Sequence, residues 1–401
     1  MSDMTRDSAV EGLHRALANQ VESGAVPGLV WLVAHAGEVY SGSAGVLGLD
    51  TSRPVTRRSI FRISSTSKPI TAACAMTLVD DGVIGLDDPV TGLLPELSER
   101  AVLAVPGGPL DDTVPAVRDI TLRDLLTFRL GLGDDFTGNP QPAMELAASL
   151  GLPIGPPRPA AYPNQDEYLR ILGSVPLEYQ PGAHWLYHVG ADVAGVLIGR
   201  ACGTSFGTAL HERVLGPLGM TDTRFFVPGD DLDRIGAAYW APDGERVLFD
   251  PPAGQWSAPP PFEGGGAGLV STVDDLLAFA EMLRDGGRRG DVRVLSPEAV
   301  AEMTTDQLTA EQRATGPGGD EAGLGWGLGM AVQVDEVPTR SIGGFGWDGG
   351  LGTTWSVDPH RDLIAILLTN EAWSSPEPPA VHQDFLRWAV RLTGDEDGRS
   401  E

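Results

Sequence analysis

Lysine is all but missing from this chain. Among 28 basic side chains in 401 residues, Lys68 is the one lysine, set in "FRISSTSKPITAACAM" (61–76). Every other cation is arginine. A surface ion pair tolerates arginine, whose charge is permanent. A group that has to shed its proton needs lysine, whose pKa moves readily on burial. The wealth of arginine, alanine and glycine suggests a GC-rich coding sequence, in which neutral lysines drift to arginine; Lys68 withstood that drift.

Cysteine is scarce as well. Cys74 and Cys202 stand alone, without a Cys-x-x-Cys, which excludes a disulfide framework. Positive charge is short by a wide margin, and the formal net charge of −27 argues against nucleic acid and anionic membranes as partners, since both need basic patches. A solvated acidic surface is what remains. No apolar run reaches a membrane-spanning length. The opening "MSDMTRDSAVEGLHRAL" lacks the apolar stretch of a signal peptide and reads as an amphipathic helix, so a cytoplasmic protein is expected.

What is present has the ordinary content of a packed protein, 42% hydrophobic, with 52 glycines and 32 prolines spread along the chain and no repeat at a fixed period. The length allows two or three domains or one large unit with an insertion. Apolar spacing predicts a helix over 8–23, and two strands about a turn at Gly37 over 28–47. A further helix over 65–81 is closed by Gly82, with Pro69 tolerated in its first turn. Residues 87–265 read as helical patches between proline-rich loops. Residues 268–287 begin with a Ser/Thr cap and continue as an amphipathic helix. Strands follow at 328–334, 340–347, 352–358 and 362–369, with a last helix near 379–393. Strands at both ends and helices between them imply an α/β fold, in which both chain ends build one antiparallel sheet. Residues 1–86 and 266–395 would form that discontinuous sheet unit, 87–265 a mainly helical region, and 396–401 a tail.

Ser65 and Lys68 are three apart on a helix, so their side chains share a face. A serine hydroxyl becomes a useful nucleophile when a neighbouring base takes its proton. A neutral lysine supplies that base once burial draws its pKa from ~10.4 towards ~7–8. The helix amino terminus works in the same direction, disfavouring the ammonium and stabilising an oxyanion.

Six ordered segments carry a resemblance beyond that pair: "FRISSTSKPITAACAMTLVDDGVIGLDDPV", "ITLRDLLTFRLGLG", "YQPGAHWLYHVGADVAGVLIG", "PLGMTDTRF", "GGGAGLVSTVDDLLAF" and "GWDGGLGTTWSVDP". Together, over about 10–370, they resemble the serine hydrolases that include class C β-lactamases, D-alanyl-D-alanine carboxypeptidases and β-lactamase-like carboxylesterases. The resemblance implies a cofactor-free enzyme with no metal, working through an acyl-enzyme on small esters or amides. It makes Ser65 the nucleophile, Lys68 its base and Tyr187, at the start of a helix, a partner whose phenolate could share the proton. His188 and Val189 depart from the serine and asparagine that usually follow this tyrosine. The third motif falls on Trp347, Asp348, Gly349 and Gly350, a Trp-x-Gly form similar to that of the carboxylesterases. It gives the oxyanion to the backbone N–H groups of Ser65 and Gly350, and replaces the cation that β-lactamases hold at position 347. Phe128 and His188 join Trp347, Asp348 and Gly349 as expected substrate contacts. A carboxylesterase on small neutral esters is the expected activity. Acyl transfer, then β-lactam or peptide hydrolysis, and last a non-catalytic acylatable binding domain are the alternatives.

Three patterns compete and lose. "GTSFG" (203–207) matches a nucleophile elbow but follows a helix instead of a strand. Tyr162-Pro163-Asn164 lies in a proline-rich loop. His184 and His188 are four apart but lack the glutamate and third ligand of a zinc site.

Overall fold

A computed structural model describes residues 3–316, 323–375 and 377–394, with side chains from residue 7; the expected tail at 396–401 lies outside the described residues. Seven strands form one antiparallel sheet: β1 (Gly28–His35), β2 (Glu38–Gly45), β3 (Leu324–Trp326), β4 (Ala331–Gln333), β5 (Phe345–Gly349), β6 (Thr353–Asp358) and β7 (Leu363–Thr369). Their order is β3-β4-β5-β6-β7-β1-β2, so the two ends of the chain meet where β1 pairs with β7, from Leu29 opposite Thr369 to His35 opposite Leu363.

β1 and β7 are apolar at nearly every position because the sheet is covered on both faces. Val30, Leu32, Ile364, Ile366 and Leu368 point into the main core. Their neighbours Leu29, Trp31, Val33, Leu363 and Leu367 point the other way. There they meet Leu13 and Leu17 of α1 (Asp3–Glu22) and Val381 and Phe385 of α6 (Ala380–Leu392). On the main-core side, α2 (Ser67–Asp80) is buried at every position from Ser67 to Leu78. A helix buried all round belongs in a protein centre. It packs against α4 (Val189–Cys202), which also contacts the short α3 (Leu122–Leu126), while α5 (Val273–Arg284) lies against β6 and β7.

The structure differs from the sequence pattern at short elements. β3 is a strand of three residues, too brief for an alternating signal. Between 87 and 265 two hairpins interrupt the helices: Ala101–Leu103 with Thr113–Pro115, and Ala238–Trp240 with Val247–Asp250. Among the described residues no single helix is long and apolar enough to cross a membrane.

Candidate active site

Ser65 sits in a single 3-10 turn, Ser64–Thr66, that leads into α2. The turn is held from the sheet. The Thr353 hydroxyl donates to the Ile63 carbonyl at 3.0 Å, which leaves the Thr66 hydroxyl to donate to Thr353 at 3.1 Å. Gly349, at the end of β5, lies so close to this turn that a Cβ there would stand 2.3 Å from the Ile63 carbonyl oxygen. Glycine is required for that approach. It brings the end of β5 against the turn that carries Ser65.

Lys68 is 1% exposed. Its Nζ lies 2.9 Å from Ser65 Oγ, 2.8 Å from the Gly266 carbonyl and 3.1 Å from His188 Nδ1. The Tyr187 ring centre is 4.3 Å away. Among the described residues no carboxylate makes an ion pair with it. Burial therefore dominates and draws its pKa down to about 7, although Asp192 and then Asp134 pull the other way through space. The three contacts suit a neutral amine. In that neutral form two N–H groups would serve the acceptors Gly266 O and His188 Nδ1, leaving the lone pair for the Ser65 hydroxyl proton.

Tyr187 is pinned by a two-way exchange with Asp134, Asp134 N–H to Tyr187 O at 3.0 Å and Tyr187 N–H to Asp134 O at 2.8 Å. Its hydroxyl accepts the indole N–H of Trp347 at 2.6 Å and is hydrogen-bonded with Ser65. Burial pushes the Tyr187 pKa up, beyond what the Ser65 and Trp347 hydrogen bonds offset, so Tyr187 stays a neutral phenol. The expected phenolate is disfavoured by this burial.

The helix begins at Val189, not at Tyr187, and His188 has φ 79 and ψ −63. With Val189 N–H donating to Tyr187 O at 3.1 Å, this is a γ-turn of the rare, strained hand. It turns two consecutive side chains onto Lys68. His188 reaches Asp192 Oδ2 through Nε2 at 3.3 Å, and Asp192 Oδ1 accepts the Gly266 N–H at 2.7 Å. Burial opposes the Asp192 charge, but His188, the Gly266 N–H and Lys68 together hold its carboxyl below the usual range. A side chain at 266 would press on His188, its Cβ only 2.8 Å from Cε1.

Two expected substrate contacts are corrected by this geometry. His188 meets the lysine and Asp192 and keeps part of its ring at a cavity wall with Tyr162 and Phe262. Phe128, 1% exposed, packs edge-on to Tyr187 at 5.7 Å and against Trp326 at 4.9 Å, so it supports the tyrosine from behind. Asp348 belongs to the opposite face of β5 from Trp347, because side chains alternate along a strand. Its carboxyl bonds Thr354, and burial raises its pKa against the pull of Arg340. Trp347 does face the site. Asp192 and the Gly266 carbonyl were missed, though the four-residue step from His188 to Asp192 was readable.

The competing patterns fold into structural roles. Gly203 ends α4 at φ 66, and Ser205 caps the next helix by accepting Thr208 N–H. Asn164 caps another helix by accepting Glu167 N–H. His184 stacks on Tyr179, and no metal-binding cluster occurs among the described residues.

A family model described as Beta-lactamase matches residues 13–385. The chain belongs to the beta-lactamase family. Protein Rv1367c of Mycobacterium tuberculosis is 37% identical over 368 residues, covering 90% of this chain and 89% of that protein. Esterase EstB of Burkholderia gladioli is 31% identical over 375 residues, 88% of each. Among solved structures, "EstCE1, a hydrolase with promiscuous acyltransferase activity" has a TM-score of 0.81 and 27% identity, covering 97% of this chain and 99% of that one.

Proposed function

We propose that this member of the family is a serine carboxylesterase for small neutral esters, with Ser65 as nucleophile and Lys68 as base. The observation that carries the reading is the buried amine 2.9 Å from Ser65 Oγ, with no carboxylate among the described residues paired to it and a pKa of about 7. In the first half-reaction Ser65 Oγ attacks the ester carbonyl as Lys68 takes its proton. The oxyanion is held by the Ser65 and Gly350 N–H groups. Collapse expels the alcohol, which takes a proton from Lys68 or through Tyr187. Water then attacks the acyl-Ser65 ester with the same groups in reverse.

Neutral substrates fit because Trp347 occupies the slot that a cation fills in β-lactamases, and because the chain carries a charge of −27. Transfer of the acyl group to an alcohol is the second reading. It is favoured by the likeness to EstCE1, a hydrolase with promiscuous acyltransferase activity, and by the 28% identity over 365 residues to Acyltransferase calJ of Penicillium decumbens. A reducing, cytoplasmic setting is part of the proposal, supported by the free thiols of Cys74 and Cys202.

Intact-protein mass spectrometry with a panel of esters, alcohols and β-lactams tests the reading. An acyl adduct that appears and turns over with neutral esters, and is absent in Ser65→Ala, is the expected result. A stable adduct without turnover would make the protein an acylatable binder. Faster reaction with penicillins than with esters would make it a β-lactamase.

A further inference from the structure

Lys68 has a second basic group in contact. His188 Nδ1 stands 3.1 Å from Nζ, and its other ring nitrogen stands 3.3 Å from Asp192 Oδ2. A carboxylate fixes the tautomer of such an imidazole: Nε2 carries the hydrogen, and Nδ1 offers its lone pair to the lysine. Asp192 is 1% exposed and held in turn by the Gly266 N–H. The arrangement also costs backbone strain. A non-glycine residue at φ 79 is held there only when its surroundings demand it, and such strain clusters at functional sites.

Resting on the reading of Lys68 as base, we propose that His188 and Asp192 form a proton-holding pair behind Lys68. The proton lifted from Ser65 is then shared between amine and imidazole. As the Oγ–carbonyl bond forms, Lys68 takes the Ser65 proton and passes one of its own N–H protons to His188 Nδ1. Lys68 ends neutral, and the imidazolium faces Asp192. When the ester C–O bond breaks, the proton returns through Lys68 to the departing alkoxide. The charged or titratable groups around the imidazole are Lys68 and Tyr187, Asp192 on its own helix, Asp134 on the adjoining loop, and Tyr162 and Tyr168 beyond Asp192.

One consequence separates this from a merely structural histidine. When a single proton resides on the pair, His188 can hold it and leave Lys68 free as the base. Without His188 that proton falls to Lys68. The acid limb of kcat/KM for a short p-nitrophenyl ester should therefore move up in His188→Asn by about one pH unit, a tenfold change in neutral lysine. Rates should converge towards wild type at alkaline pH, and Asp192→Asn should shift the limb in the same direction. A limb that stays put, or a rate lowered equally at every pH, overturns the proposal.

Histidine nitrogen NMR in the Ser65→Ala background reads the same pairing without turnover. His188 should show a bare Nδ1 and a hydrogen on Nε2, and the Nδ1 signal should move in Lys68→Met as its hydrogen-bond donor is lost. A hydrogen on Nδ1, or an Nδ1 signal that ignores the loss of Lys68, overturns the proposal even if the kinetic variants misfold. The two layers fail separately. An active Lys68→Arg enzyme would sink the reading of Lys68 as base, whereas an inactive one beside an unshifted His188→Asn limb would sink the pair alone.

Discussion

Arg62 and Lys68 are six positions apart, and both are buried cations, 4% and 1% exposed. Arg62 is met by Asp250, Nε at 2.8 Å and Nη2 at 2.6 Å from the same oxygen. The Gly236 and Pro251 carbonyls take two more of its donors, and its guanidinium lies 5.3 Å from the Trp256 ring centre. Burial lowers its pKa and Asp250 works against that, but a guanidinium does not deprotonate in this range. Lys68 is as dry, yet its neighbours are a hydroxyl, a carbonyl and an imidazole. The difference teaches that burial alone does not set a charge. A contacting carboxylate fixes it; neutral acceptors let the group discard it. One cation is a joint between segments; the other is the base of the proposed mechanism.

Turning Lys68 into a second arginine breaks the comparison most severely. Lys68→Arg should lose on the order of 10²–10⁴ in kcat/KM, much as Lys68→Ala does, because a guanidinium cannot accept the serine proton. Steady-state kinetics on folded protein read this. Arg62→Met attacks the other side. It strands Asp250 in the core and should cost roughly 3–5 kcal/mol of stability, measured by denaturant titration, while folded molecules still turn over esters.

Asp275 extends the rule to an acid. It is 7% exposed, and its Oδ2 accepts Asp222 N–H at 2.9 Å and Thr223 Oγ1–H at 2.8 Å. Among the described residues no cation pairs with it, and burial raises its pKa to about 6. The folded protein thus binds this proton more tightly than the unfolded chain does. This group's contribution to stability falls as pH rises from about 4 to about 6 and stays flat above. Asp275→Asn keeps both acceptor contacts and should be more stable than wild type at pH 7–8, by on the order of 2–3 kcal/mol. That advantage should vanish below about pH 4. Equal stability at neutral pH would contradict it.

The smallest effect sharpens the site itself. Trp347→Lys should raise the ratio of kcat/KM for a carboxylate-bearing ester over its methyl ester by about tenfold or more, since a charged hydrogen bond is worth roughly 1.5–3 kcal/mol. The ratio removes any general loss from severing the Trp347–Tyr187 bond. An unchanged ratio would mean that position 347 does not face the substrate's charge.

The sheet was legible because β1, β2, β6 and β7 are long enough to show runs and turns, whereas β3 is not. Ser65 and Lys68 were legible because lysine is so rare here. The role of His188 was hidden, since nothing in the residue type announces a γ-turn at a histidine. Phe128 was misplaced for a related reason. Its φ of 59 is a tertiary imposition, which turns the ring under Tyr187 instead of towards the cleft. Asp348 was misplaced by treating a motif as a unit, when neighbouring residues of a strand face opposite ways.

The most direct test of a neutral Lys68 activating Ser65 is the rate of the first acylation by a short p-nitrophenyl ester, from about pH 5 to about pH 9, with the modified peptide mapped by mass. The account predicts one acyl group on Ser65 and a rate that climbs through pH about 7 and then levels, following Lys68 as it loses its proton. An acyl group on Ser205, or a rate indifferent to pH across that range, would contradict it.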